Sequence, residues 1–169
     1  MKLTKKSIYF DDEINEKTIS DLIDKIDEHS DKKINLYLTS GGGSVSAGIV
    51  FTDYLNQCGY DLTLIASWTL NSGAFDIFFK AVNVDRRIMP NTHSLIHLSR
   101  RDVSTIELLK NNSYDSFLKK ELEETNSEWL EFFKEVGIKE KHLKQIAKGE
   151  DVILRYEELA ELLQVAESV

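Results

Sequence analysis

The alternating run Lys33-Ile-Asn-Leu-Tyr-Leu-Thr39 ends in Gly41-Gly42-Gly43, and a helix-compatible stretch follows from about Ser46 to Gln57. Alternation of period two marks a strand, and a glycine cluster at its end marks a tight turn into the next element. This strand–turn–helix unit constrains the fold most, because its neighbours follow the same order. Ser7-Ile-Tyr-Phe10 is β-prone, and Glu13 to His29 places Ile14, Ile19, Leu22, Ile23 and Ile26 largely at helical spacing. Asp61 to Trp68 is β-prone, and Ser72 to Val82 is apolar and helix-compatible. Arg87 to Met89 and His93 to His97 flank a turn marked by Pro90-Asn91. The order β-α-β-α-β-α-β predicts an α/β fold.

After Arg101 the composition shifts to Glu, Lys and Leu, which predicts one long helix through about Phe133, broken at Val136-Gly137. Lys139 to Lys148 reads as a short helix, Asp151 to Leu154 as a strand and Tyr156 to Leu163 as a closing helix. With 169 residues the chain is expected to form one domain. Its head covers about 1–101 and 149–169, and a projecting helical handle covers about 102–148. The net charge of −8 disfavours nucleic acid and anionic membranes, because phosphate contacts need clustered Lys and Arg. The single cysteine, Cys58, excludes an intrachain disulfide framework and is expected in buried packing. No apolar run approaches the ~20 residues of a membrane span. The start has no signal-peptide core, so a cytoplasmic address is expected.

Three features bear on chemistry, each weak alone. Gly41-Gly42-Gly43 can turn backbone N–H groups toward an anion, although glycines after strands are commonly just turns. Asn71-Ser72-Gly73-Ala74 lies where a strand gives way to a helix, which exposes a hydroxyl; the bland alternative is that Ser72 is an N-cap. His97 ends a strand, where histidines are usually structural. His29 and His142 are expected on solvated helical faces, and His93 sits beside a turn. No HExxH motif or cysteine cluster supports a metal, so neither metal nor cofactor is expected. Lys80 lies ~12 Å from Ser72 along a helix at ~1.5 Å per residue, too far for a Ser-Lys dyad. Asp76, one turn beyond Ser72, is expected to complement the positive end of the helix dipole.

Together these residues resemble the ClpP-like serine peptidases of the ClpP/crotonase fold group. Leu36-Tyr-Leu-Thr-Ser-Gly-Gly-Gly-Ser-Val-Ser-Ala-Gly48 is similar to that family's strand followed by Asn-Ser-Pro-Gly-Gly-Ser-Val-x-Ala-Gly. Ser72-Gly-Ala-Phe75 is similar to its Ser-Met-Gly-Ala-Phe, and Met89-Pro-Asn-Thr-His-Ser-Leu-Ile-His97 to its Leu-Pro-Asn-Ser-Arg-x-Met-Ile-His. No gap is needed from Gly42 to His97, which stands 25 residues after Ser72, the family's nucleophile-to-base spacing. A second register matches Gly73-Ala74 to the family's Gly-Ala. It places Asn71 on the nucleophile position and requires compensating gaps on both sides. Gly149-Glu-Asp-Val-Ile-Leu-Arg-Tyr-Glu-Glu-Leu159 resembles, more loosely, the family's segment before its last helix, with Asp151 as orienting carboxylate and Glu150 as the fallback.

The resemblance implies an α/β, ClpP/crotonase-like fold of repeated β-α units with a projecting helical handle. It implies Ser72 as nucleophile, His97 as base, Asp151 as its orienter, and the Gly43 and Gly73 N–H groups as oxyanion hole. Peptide or unfolded protein is the implied substrate and a homo-oligomer the implied state. Leu108, Leu109, Phe117, Leu118, Leu122, Trp129, Leu130, Phe132 and Phe133 on the handle offer a partner-contacting face, with packing inside one subunit as the alternative. Departures weigh on other expectations. Leu98-Ser-Arg-Arg-Asp102 replaces the family's Gln-Pro-Leu-Gly-Gly stretch, which puts substrate geometry in question. Too few residues precede the first strand for the usual axial loop, which argues against an ATP-driven unfoldase as partner. A non-catalytic ClpP-like subunit and a crotonase-like acyl-CoA enzyme stay open as alternatives.

Overall fold

The computed structural model of the chain describes residues 6–29, 33–99 and 113–166, leaving aside the side chains of residue 6 and of residues 113–119. Two compact units divide the chain, one comprising Met1–Ile96 and Ile153–Val169, the other His97–Val152.

In the first unit β1 (Lys6–Asp11), β2 (Lys33–Ser40), β3 (Asp61–Leu70) and β4 (Asp85–Ile88) form a parallel sheet in the order β1-β2-β3-β4. Helices α1 (Glu16–Asp27), α2 (Val45–Gln57) and α3 (Gly73–Lys80) make the crossovers. Sequential neighbours joined by right-handed crossovers place every helix on one face of a sheet. Accordingly, α1 packs on α2 and α2 on α3. Alternation decides which residues meet them: Ile34, Leu36, Leu38 and Ser40 are buried, whereas Lys33, Asn35, Tyr37 and Thr39 are not. Phe51, Phe75 and Phe78 are fully buried, each contributing ~1.5–3 kcal/mol of apolar burial. At Gly48 the helices come close, since a β-carbon there would touch Ile77 at 3.9 Å. A capping box starts α1: Asn15 Oδ1 accepts from the Lys17 and Thr18 N–H groups while Thr18 Oγ1 accepts from Asn15 N.

The sheet ends at β4, a short, charged edge, with Arg86 Nε donating to Phe78 O at 2.6 Å. β3 outlasts its partner and bends. Leu38 pairs with Ala66 and Ser40 with Leu70, so Thr39 alone faces Ser67, Trp68 and Thr69. Trp68 takes up the extra length at φ 62°, a left-handed conformation unusual for a bulky residue. Thr39 Oγ1 donates to Ser67 O at 2.6 Å and pins the bulge. Bulges redirect strands: beyond this one, Thr69 bridges to His93 and the chain leads into β5 (Ser94–Ile96). β5 pairs with β6 (Val152–Leu154) in a second, two-stranded sheet, and the last helix of the unit, α6 (Tyr156–Ala166), follows.

The second unit contains α4 (Ser113–Val136) and α5 (Glu140–Ala147). The break expected at Val136-Gly137 is present: α4 stops at Val136 and Gly137 has φ 99°. Residues 100–112, and with them the start of the expected long helix, Leu108 and Leu109, lie outside the described residues. So do Arg100 to Asp102 of the divergent stretch and the side chains of Phe117 and Leu118. Trp129, Phe132 and Phe133 form a ring cluster in which Phe133 is buried. His142 corrects an expectation. It is buried with Ile146 one turn on, because that pair forms the inward face of α5. Cys58 corrects another: it ends α2 half-buried, its thiol directed at Leu55 O, and is not core packing. Among the described residues no helix is long and apolar enough to cross a membrane.

Candidate active site

The glycine cluster and the turn after β3 come together in the first unit. Gly42 and Gly43 have φ 97° and 144°, open to glycine and strained for other residues. Ile14 N donates to Gly42 O at 2.9 Å and Ser44 N to Ile14 O at 2.7 Å, so a single residue after β1 holds the cluster from both sides. Ser40, buried at the end of β2, ties three segments. Its hydroxyl donates to Asp12 O at 2.7 Å and accepts from Gly42 N at 3.1 Å, while its carbonyl accepts from Asn71 N at 3.0 Å.

Ser72 has φ 47° and ψ −123°, a backbone state that costs ~1–3 kcal/mol and persists only when neighbours enforce it. They do so here: Ser72 N donates to Leu95 O at 2.9 Å, and Asn71 O accepts from Ala74 N at 2.9 Å. The N-cap reading of Ser72 fails in its essential point, because the hydroxyl makes no capping hydrogen bond. Beside it lie two free backbone donors. Among the described residues neither Gly43 N nor Gly73 N has an acceptor, and a β-carbon at Gly73 would stand 3.8 Å from Gly43 N. Two neighbouring N–H groups without acceptors, one of them at the start of α3, beside a half-buried hydroxyl can stabilise an oxyanion formed on that hydroxyl's acyl adduct.

Asn71, the alternative nucleophile position, is otherwise occupied. Its Oδ1 accepts from Leu95 N at 2.7 Å. Asp76 corrects the expectation of a carboxylate complementing the helix dipole. It is buried, and Oδ1 has no hydrogen-bond partner. Desolvation pushes its carboxyl well above the usual range, opposed in part by Lys80.

His97 and Asp151 belong to the second unit. His97 is half-buried, with Nδ1 2.7 Å from Leu98 O. A carbonyl only accepts, so Nδ1 carries the hydrogen and Nε2 is the free lone pair, the tautomer a general base requires. Asp151 is exposed. Glu150 Oε2 accepts from Gln145 Nε2 at 3.3 Å. The sequence reading missed three contributors: Ser40, the Asn71 amide and the Trp68 bulge. Ser40 and Asn71, the polar residues immediately before the glycine and serine turns, carry a sequence signal; the Trp68 bulge carries none. Among the described residues no cluster of His, Cys, Asp and Glu is arranged to hold a metal ion.

Parallel β-α repeats on a single sheet, with a strained serine at a strand-to-helix turn facing a glycine-lined strand end, define a ClpP-type α/β protein. The chain belongs to the Clp protease family, whose profile it matches over residues 2–128, a span that includes Gly43, Ser72, Gly73 and His97 and stops short of Asp151. Among solved structures it is similar to a point mutant of ClpP1 from Listeria monocytogenes, with a TM-score of 0.69 and 19% identity over 93% of this chain and 86% of that one. That likeness shows the fold.

Proposed function

We propose that the chain is a serine endopeptidase that hydrolyses peptide bonds through an acyl-enzyme. In this reading Ser72 Oγ attacks the scissile carbonyl and His97 Nε2 takes its proton and later returns it to the leaving amine. Asp151 supports the imidazolium, and the Gly43 and Gly73 N–H groups hold the oxyanion. The observation that carries the reading is Ser72 itself: a helix-starting serine in a strained conformation whose hydroxyl does no capping, next to two backbone donors without acceptors. Membership of the Clp protease family supports it. No metal or cofactor enters the steps.

Uncovered apolar surface supports a homo-oligomer. Parallel sheets are ordinarily covered on both faces, yet Tyr9, 68% exposed and stacked on Tyr37 at 4.7 Å, stands on the face of the sheet away from the buried strand positions. Val45, Ile49 and Val50 are exposed on α2. Membership of the family supports peptide or unfolded protein as substrate, and a lone cysteine, which requires no oxidising compartment, is in keeping with a cytoplasmic address. An ATP-driven unfoldase is not part of the proposal.

The test is intact-mass analysis after exposure to a fluorophosphonate, comparing wild type, Ser72→Ala and His97→Ala at a concentration where assembly is verified. A single adduct on wild type and none on Ser72→Ala is expected. Labelling that survives Ser72→Ala refutes the assignment. One observation favours a second reading, a non-catalytic subunit: His97 Nδ1, the atom that an orienting carboxylate bonds in a serine triad, is bonded to Leu98 O. An unlabelled wild-type oligomer establishes that reading instead.

A further inference from the structure

Leu95 is gripped by the turn that carries Ser72, through both of its backbone groups. Its carbonyl accepts from Ser72 N at 2.9 Å, and its N–H donates to the side-chain Oδ1 of Asn71 at 2.7 Å. In a parallel ladder that N–H would meet a backbone carbonyl of the neighbouring strand. The register in which His93 N donates to Trp68 O and Leu70 N to His93 O makes that acceptor Leu70 O, but Leu70 O accepts from the Ser94 hydroxyl instead. The Asn71 amide oxygen stands in for the missing strand acceptor, the kind of side-chain substitution for backbone at which Asn excels. Immediately upstream, Leu70 N donates to His93 O and Ser94 Oγ donates to Leu70 O, so β5 is fastened residue by residue as far as Leu95. Two residues later the chain reaches His97.

We infer that Asn71 is a positioning residue that locks β5 to the Ser72 turn, and so sets the approach of the strand that leads to His97. The inference rests on the reading of Ser72 and His97 as the reacting pair. It assigns to Asn71 a role opposite to that of a nucleophile's inert replacement: its side chain is committed to Leu95 and makes the neighbouring serine usable. Asn71 acts through Leu95 and does not itself touch substrate.

Asn71→Ala removes the acceptor, whereas Asn71→Asp keeps an oxygen for Leu95 N and discards the amide NH2. Two measurements on the assembled protein separate the outcomes. Backbone hydrogen exchange at Leu95 is expected to accelerate about tenfold or more in Asn71→Ala and to stay near wild type in Asn71→Asp. The fluorophosphonate reaction is expected to slow at least about tenfold in its maximal acylation rate in Asn71→Ala, with half-saturation unchanged, and to recover to within about threefold in Asn71→Asp. A labelled wild type alongside an Asn71→Ala variant that acylates at the wild-type rate, or keeps wild-type protection at Leu95, overturns the inference and spares the serine reading. An unlabelled wild type overturns the serine reading and the positioning role with it. Should Asn71→Ala fail to fold, Asn71→Asp carries the test, and a folded Asn71→Asp that has lost acylation overturns the inference.

Discussion

Three consecutive glycines that look alike in sequence should respond very differently to one added methyl group. At Gly41 a β-carbon would meet nothing within 4 Å. Gly41→Ala is therefore expected to change stability by no more than ~0.5–1 kcal/mol, in the stabilising direction if the stiffer unfolded chain dominates. At Gly42 the same carbon would lie 2.7 Å from Ser72 Cβ, 3.0 Å from Asn71 O and 3.2 Å from Gly73 N, at a residue with φ 97°. The backbone state costs ~1–2 kcal/mol for a residue with a side chain, and forcing the glycine loop off the Ser72 turn adds ~1–3 kcal/mol. Gly42→Ala should thus lose ~2–5 kcal/mol, and at this chain length ~3 kcal/mol corresponds to roughly 6–12 °C in Tm. At Gly43, with φ 144°, the carbon would overlap the Ile14 carbonyl and stand 3.0 Å from Ile14 N. Relief there requires breaking the Ile14–Gly42 and Ser44–Ile14 hydrogen bonds, so Gly43→Ala should be the worst of the three. Urea unfolding of the three variants at one matched protein concentration gives the order directly. Equal midpoints for Gly41→Ala and Gly42→Ala would refute the geometry of the site.

Ser40→Ala strips Gly42 N of its acceptor and Asp12 O of its donor; a loss of ~1–3 kcal/mol in the same urea assay is expected, together with slower fluorophosphonate labelling, and unchanged labelling would deny that Ser40 shapes the donor pair. Asp76 predicts a pH dependence of definite sign. Its unfolded carboxyl ionises near ~4, whereas burial holds the proton to higher pH in the fold. Between those two values the folded state binds the proton that the unfolded state has lost, so this contribution is fully present below ~4 and stability falls as pH rises, by up to ~1.4 kcal/mol per pH unit. Asn at this position should flatten that slope, and an identical Tm-versus-pH curve for wild type and Asp76→Asn would contradict it. Tyr54→Phe removes the 2.6 Å bond from its hydroxyl to Asp27 Oδ1, a carboxylate it shares with Tyr60 at 3.3 Å; a loss of about 1 kcal/mol is expected in thermal unfolding, and a rise in Tm would deny that the shared carboxylate braces α1 against α2.

Much of the described secondary structure is legible in the sequence because its signals are local. Lys33 to Thr39 alternates, and β2 runs Lys33–Ser40; the helix read from about Ser46 to Gln57 is Val45–Gln57; the pause at Val136-Gly137 ends α4. The errors share one cause. Polarity and residue type suggest solvent for His142 and the core for Cys58, but burial depends on what packs against a position, and at His142 the inward face of α5 outweighs the polarity of an imidazole. Asp76 reads as a charge at a helix start, which holds only where water keeps the carboxylate ionised; inside α3 desolvation decides otherwise.

The order of strands and helices, the glycine and serine turns, and the spacing from Ser72 to His97 are all written in the chain itself, since periodicity and turn chemistry act over a few residues. The folded arrangement alone determines which glycine touches which atom, that the Ser72 hydroxyl does not cap, that the Asn71 amide serves Leu95, and that Trp68 absorbs the length mismatch between β2 and β3. Most of these are contacts between segments well apart in the chain, Asn71 to Leu95 or Gly42 to Ser72. Such pairs depend on how segments are brought side by side, and a strand's alternation fixes which face its side chains take without naming the residue of a distant segment that will lie opposite.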